Sequence, residues 1–274
     1  MNSNNINDMN LYKKNNRFLT NYVHLKKRLK RKPSISELSS IDHLHYDGTN
    51  AVDNAIEYIN IKKNSFVLDI GSGIGGPARY IAHKTKAIVY AVEIQQELND
   101  IANLLTKEYN LSDKVKHIKN DINNFLPVNV KFDHVVSWLA LYHVPNRKKL
   151  LDKIYSLLKS SGYFYSEDFF IKKKLTTREN NHLAKDFYAN HLVEYSEYLN
   201  ELKSNNFNII VHRDLSKKWC IFTKKRLSTF INNIEEHSKL HGKLTTKYVL
   251  NFYKLAYELL STNKIGGISF VCKK

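Results

Sequence analysis

Residues 67–77 read VLDIGSGIGGP, and the fold follows from this stretch. An apolar run ends in Asp69, then Gly71, Gly73 and Gly76 complete a G-x-G-x-x-G spacing, and Pro77 stands where a helix would begin. A strand that turns through glycines straight into a helix lets backbone approach a ligand closely at the helix N-terminus. Pro is pre-organised for that first helical position.

Working outward, helix and strand patterns alternate. Residues 50–61 place Ala51, Val52, Ala55, Ile56 and Ile59 on one helical stripe ahead of a strand at 65–70. After the glycine turn the pattern predicts a helix at 77–84, a strand at 87–92 (AIVYAV), an amphipathic helix at 96–109 and a strand at 115–119. A fourth strand at 132–137, a helix capped by Asn146 and running to 158, and a fifth strand at 162–170 follow. The expected fold class is α/β: a doubly wound, mostly parallel seven-stranded sheet, with helical insertions near the C-terminus. Those insertions span 177–202 and 219–260, around a sixth strand at 208–212, and a last strand closes the sheet at 267–272. Residues 34–274 are read as one domain, with a core at 45–170 and a helical cap and last strands at 171–274.

Composition sets outer bounds. The chain has 274 residues, 42% of them hydrophobic and 12% aromatic, enough for a sizeable core and against wholesale disorder. No apolar run reaches the roughly 20 residues of a membrane span. Cys220 and Cys272 are the only cysteines, so a disulfide framework is excluded, no metal site is expected and a reducing, cytoplasmic setting is the default. The formal net charge is +17, yet Asn, Lys, Ile and Tyr are abundant throughout, as coding DNA rich in A and T would produce. Basic character concentrates at the N-terminus, where residues 13–32 hold nine Lys or Arg and no acid. Residues 1–33 are expected to be a basic, mobile arm whose run at 25–32 is a solvated face; a nuclear or mitochondrial address remains open.

The glycine pattern alone would serve a nicotinamide dinucleotide or another nucleoside. Asp69 separates them. A carboxylate beside the loop repels a pyrophosphate but attracts the ammonium and sulfonium of S-adenosylmethionine. Glu93 ends the second strand 20 residues beyond Gly73, where a ribose-binding acid belongs. Asp121 follows the third strand, where a carboxylate can accept from an adenine amino group.

With these residues the sequence resembles the class I S-adenosylmethionine-dependent methyltransferases over about residues 45–170. GSGIGGPARYIA, residues 71–82, is most similar to the small-molecule branch that includes sarcosine/dimethylglycine, phosphoethanolamine and sterol methyltransferases. The resemblance implies methyl-donor contacts at Asp69, Gly71, Ser72, Gly73, Glu93, Ile94, Gln95, Asp121, Ile122 and Ser137, with Trp138 beside them. It implies a general base at His143, as in the phosphoethanolamine enzymes, although Leu139 stands where those relatives carry an acid. Tyr46, in the segment that closes over the donor in relatives, is a second catalytic candidate. Asp168 at the end of the fifth strand and Tyr188 on the first inserted helices are expected to face the acceptor.

The expected activity is methyl transfer to N or O of a small molecule. An RNA methyltransferase is the alternative that the charge suggests, but no NPPY-type tetrapeptide follows the fourth strand. A non-catalytic partner protein that keeps the donor pocket is another. No obligatory nucleic-acid partner is expected, and oligomeric state is not encoded legibly.

Overall fold

The computed structural model describes residues 16–274. Seven strands form one sheet in the order β3-β2-β1-β4-β5-β7-β6. They are β1 (Phe66–Ile70), β2 (Ile88–Glu93), β3 (Val115–Lys119), β4 (Phe132–Trp138), β5 (Leu158–Ile171), β6 (Asn208–Asp214) and β7 (Ile265–Lys273). All neighbouring pairs from β3 to β5 are parallel, and β7 runs antiparallel between β5 and β6.

Parallel strands need crossovers, so helices cover both faces of the sheet and β1 reads as a nearly continuous apolar run. One core contains Leu68, Val135, Phe164, Phe270 and Tyr198. The other contains Val67, Val89, Val136, Ile81 and Tyr165. Alternate residues of β1 and β4 thus point into opposite cores. The chain leaves β1 towards β2 and β3 and returns to β4, so the crevice at the carboxyl ends of β1 and β4 is the topological switch point.

The expected fold class holds, and the strand and helix positions agree within a few residues. Helices α3 (Thr49–Tyr58), α4 (Gly76–Thr85), α5 (Gln96–Glu108) and α6 (Arg147–Leu157) connect the core strands. The Asn146 side chain accepts from the Lys149 amide and caps α6.

The described part of the N-terminal segment departs from the mobile arm expected there. Residues 1–15 lie outside the described residues. Asn16–Leu29 form helix α1, which buries Phe18, Tyr22 and Leu25. These pack with Leu98, Ile101 and Leu105 of α5 and with Leu38 of α2 (Ile35–Asp42). Charge counting hid this amphipathic spacing, because the basic residues Lys26, Lys27 and Arg28 occupy the solvent side of the same helix. Ser34 caps α2 in a reciprocal pair with Glu37.

Beyond β5 come α7 (Thr177–His182), a π turn at Leu183–Phe187, and α8 (Tyr195–Ser204). Helices α9 (Ser216–Asn232), α10 (Ile234–His241) and α11 (Lys243–Ser261) then lead to β7. Trp219, Leu259 and Leu260 of this group join Tyr46, Tyr142 and Phe169 in an apolar cluster. Helices α1, α2, α9, α10 and α11 thereby roof the crevice.

Among the described residues no helix is long and apolar enough to cross a membrane.

Candidate active site

A cavity of about 1100 Å³ opens at the switch point beneath this roof. Ligand pockets usually run to about 300–1,000 Å³, so this one has room for two ligands side by side.

Its floor is the glycine turn. Gly71 has φ +70°, a left-handed conformation, and a Cβ on it would run into Cβ of Ala140 after β4. The amides of Gly71 and Ser72 donate to the Val92 carbonyl at 2.9 and 3.1 Å, which ties the turn to the end of β2. Glu93 accepts from the amides of Gly73 and Gln95, both at 2.9 Å. Its carboxylate therefore lies beside the turn with its orientation fixed by backbone.

Asp69 is 1% exposed. Burial, and then the neighbouring Glu93, push its carboxyl up to about 8. Its Oδ2 and the hydroxyl of Ser72 are buried without a hydrogen-bond partner among the described residues. Orphaned polar atoms of this kind are costly unless a ligand completes them. A cationic group carrying N–H donors fits the pair, and the ammonium of S-adenosylmethionine is such a group. At the far end Asp121 caps a short 3-10 turn, accepting from the Asn123 amide at 2.9 Å. Ile94 is left 43% exposed on the wall between Glu93 and Asp121. An uncovered apolar side chain between two acids suits the flat face of a nucleobase.

The cavity lining contains twelve of the residues singled out from the sequence: Tyr46 and His143, then Asp69, Gly71, Ser72, Gly73, then Glu93, Ile94, Gln95, Asp121, Ile122 and Trp138. Three others lie elsewhere. Ser137 is fully buried and donates to the Ile70 carbonyl at 2.9 Å, so it ties β4 to β1 behind the wall. Asp168 is fully buried on the opposite face of β5, where it accepts from the Tyr198 hydroxyl at 3.0 Å and from the Tyr142 amide. Neither Asp168 nor its neighbour Glu167 lines this cavity: alternation sends Asp168 under α8 and Glu167 into a smaller cleft with Tyr165 and Lys218. Tyr188 has φ +51° and is buried beside the cavity; its carbonyl, rather than its ring, faces the site's histidine.

His143 ends a 3-10 turn, Leu141–His143, that follows β4. Its Nδ1 lies 3.1 Å from the Tyr188 carbonyl. A carbonyl cannot donate, so the neutral ring carries its proton on Nδ1 and leaves the Nε2 lone pair free. Burial lowers its pKa to about 4, which keeps the ring neutral at physiological pH. Asp168 therefore acts on the site indirectly, by holding through the Tyr142 amide the turn that carries His143. The turn is preceded by Leu139, held at φ +53°, an uncommon conformation for a branched residue.

Several lining residues are not site candidates from the sequence, although His45 stands next to Tyr46 in the segment that the resemblance places over the donor. His45 stacks on Trp138 with ring centroids 5.6 Å apart and donates from Nε2 to the Gly48 carbonyl at 2.9 Å. Phe18, Arg28, Arg226 and Tyr253 come from α1, α9 and α11, far away in sequence. Their placement is a matter of tertiary packing, which no local pattern announces.

The charges are unevenly distributed. The turn end holds Asp69, Glu93 and Asp121, while the roof holds Arg17, Arg28, Lys225 and Arg226. Asp42 and Asp47 also line the cavity but pair with Arg79 and Lys218, and burial lowers the pKa of His237 and His241 so that both rings are neutral.

Comparison with known proteins agrees with this geometry. Residues 68–166 match the family described as Methyltransferase domain. Phosphoethanolamine N-methyltransferase of Plasmodium falciparum is 28% identical over 207 residues, which cover 74% of this chain and 76% of that protein. Sterol 24-C-methyltransferase erg-4 of Neurospora crassa is 30% identical over 166 residues, which cover 58% of this chain and 44% of that protein. The chain thus spans about three quarters of the first relative's length and under half of the second's. Among solved structures, Haemonchus contortus phosphoethanolamine N-methyltransferase 2, in complex with S-adenosyl-L-methionine, superposes with a TM-score of 0.80 at 16% identity, covering 95% of this chain and 57% of that one. A protein described as a sarcosine dimethylglycine methyltransferase from Galdieria sulphuraria gives a TM-score of 0.72 at 14% identity, covering 82% and 83%. Residues 68–166 are thus similar to a methyltransferase domain, and the resemblance to the small-molecule branch of the S-adenosylmethionine-dependent enzymes holds.

Proposed function

We propose that this chain transfers the methyl group of S-adenosylmethionine to a nitrogen or oxygen of a small-molecule acceptor held between the glycine turn and the helical roof. The observation that carries this reading is the polarity of one cavity: three acids and orphaned polar atoms at one end, and a histidine with a free lone pair in the same wall.

The donor supplies a methyl carbon already activated by its sulfonium. The protein's part is alignment, exclusion of water and handling of one proton. Asp69 and the Ser72 hydroxyl bind the donor's ammonium. Glu93 takes the ribose hydroxyls, and Ile94 and Asp121 hold the adenine. As the acceptor's lone pair forms its bond to the methyl carbon, the carbon–sulfur pair departs with sulfur. The acceptor's proton moves to Nε2 of His143, which the Tyr188 carbonyl keeps in the required tautomer. Tyr46 sits against Phe169, Trp219 and Phe222, with centroids 5.1–5.9 Å away, and burial keeps its phenol neutral. It serves as a rigid wall that orients the acceptor.

His143→Ala is expected to lower kcat by about 10²–10⁴ and leave donor affinity unchanged. The test is transfer of labelled methyl to phosphoethanolamine, sarcosine and simple phenols, alongside calorimetric titration of the donor. With neutral imidazole as the base and the donor saturating, so that Asp69 does not enter, the histidine's contribution to kcat should be lost as pH drops through about 4, the depressed value for this ring. Equal turnover by His143→Ala and the parent would remove the base from the mechanism. Donor binding with no transfer to any acceptor would favour a non-catalytic partner protein.

A second expectation concerns donor binding and pH. Asp69 must ionise to hold a cation, and in the free protein its carboxyl lies at about 8. Donor affinity should therefore rise up to tenfold per pH unit from pH 6 towards 8, with a proton released on binding. It should level off there, because Asp69 is then ionised in the free protein, and fall beyond as the donor's own amino group deprotonates near about 8. Titrations in buffers of different ionisation enthalpy measure the released proton directly. A pH-independent affinity would show that Asp69 is already charged or lies away from the donor.

A further inference from the structure

Arg226 of α9 differs from the other buried or half-buried arginines that line up with acids. Arg79 pairs with Asp42 and Arg147 with Glu201. Arg226 is half-buried on the cavity wall, yet no described carboxylate pairs with it. Its hydrogen bond is to the His45 carbonyl, from Nη2 at 3.1 Å. Its guanidinium carbon lies 4.6, 5.6 and 5.8 Å from the ring centroids of Phe222, Tyr46 and Tyr253.

Three aromatic rings fix the plane and direction of the fork but do not neutralise its charge. A cation removed from water among apolar walls calls for a counter-ion with matching hydrogen-bond acceptors. One donor is engaged by His45, which leaves others for a ligand. A planar fork matches the paired oxygens of a carboxylate or phosphate, whereas a lysine would offer only a point charge. Lys225 lines the same cavity and adds to the positive charge there.

We infer that Arg226 is an oxyanion-binding residue of the cavity, receiving a carboxylate or phosphate oxygen pair of a bound ligand. That oxyanion comes either from the amino-acid carboxylate of the donor or from an acidic group on the acceptor. The inference rests on the methyltransferase reading for the first source and on the cavity alone for the second.

Arg226→Met keeps the aliphatic stem against the rings and removes the fork; Arg226→Lys restores charge without it. The parent and both variants are titrated with S-adenosylhomocysteine, with 5′-methylthioadenosine, which lacks the amino-acid portion, and with inorganic phosphate and benzoate. The last two are tested on the free protein and on protein saturated with S-adenosylhomocysteine. A loss of tenfold or more by Arg226→Met for S-adenosylhomocysteine, with 5′-methylthioadenosine unchanged and Arg226→Lys intermediate, places the donor's carboxylate on Arg226. A similar loss for phosphate or benzoate, with S-adenosylhomocysteine unchanged, places an acceptor oxyanion there. Unchanged affinity for all four probes overturns the inference. So does a uniform loss that includes 5′-methylthioadenosine with a lowered melting temperature, which would make Arg226 a tie between α9 and the segment carrying His45. If the parent itself fails to bind S-adenosylhomocysteine, the methyltransferase reading falls, and the phosphate and benzoate titrations on the free protein still decide Arg226.

Discussion

Asp69→Asn is expected to weaken S-adenosylmethionine binding by about 10²–10³ while raising the melting temperature of the ligand-free protein. Both effects come from the same buried carboxyl. Losing one side of a desolvated ion pair costs about 3–5 kcal/mol, and each 1.4 kcal/mol is about tenfold in affinity. In the free protein the sign is opposite. The folded-state pKa, about 8, lies above the ordinary 3.8, so this group's contribution to stability falls as pH rises from 3.8 to about 8 and is flat beyond. Asparagine keeps the shape, removes the ionisation and so relieves that loss at neutral and alkaline pH. Differential scanning calorimetry at pH 5 and pH 8 should show the gain at pH 8 and little at pH 5. A variant that binds the donor normally would contradict the role given to Asp69; one that is destabilised at pH 8 would contradict the burial penalty.

The second large effect is structural and sits one layer below the site. Arg79 is fully buried within α4. It donates to Asp42 at 2.9 Å, to the carbonyls of Ile74 and Ala102 at 2.7 and 3.2 Å, and to the Thr106 hydroxyl at 3.2 Å. One side chain thus joins the glycine turn, the roof helix α2 and α5. Gly76 completes that contact, since a Cβ there would strike the backbone of Asp42. Arg79→Met leaves Asp42 buried without its partner, and the expected cost is about 3–5 kcal/mol. For a chain of this size that is roughly 10 °C in melting temperature. Adding Asp42→Leu should recover most of the loss, because replacing both members of a buried pair by apolar groups is far milder than removing one. The comparison of single and double variants by thermal unfolding checks this. A double variant no more stable than Arg79→Met would mean that the carbonyl contacts, rather than the ion pair, dominate.

The sequence conveyed the switch point well because local chemistry specifies it. The turn after β1 needs Gly71 for the close approach of Ala140, β2 ends in Glu93, and Asp121 follows β3 by two residues. Such features repeat at strand ends and can be read one segment at a time. Asp168 misled for a specific reason. Alternation says that one of two adjacent acids points each way, but not which side the cavity occupies at that end of β5. There β5 runs on past the end of β4, and α8 brings Tyr198 over Asp168. Tyr188 reads in sequence as part of an inserted helix, yet the chain turns left-handed at that residue and offers its carbonyl. Helix α1 was obscured because a basic solvent face outweighed three well-spaced apolar residues, Phe18, Tyr22 and Leu25. The roof residues of α9 to α11 depend on contacts across more than a hundred residues, and Arg226 has no signature before those helices dock.

The central claim is that the acid-bearing glycine turn cradles a cationic methyl donor. Isothermal titration of the full chain with S-adenosylhomocysteine, set beside NADH under the same conditions, tests it most directly. Saturable one-to-one binding of S-adenosylhomocysteine and none of NADH is the expected result. Saturable binding of NADH, or no heat from S-adenosylhomocysteine at millimolar concentration, would contradict it.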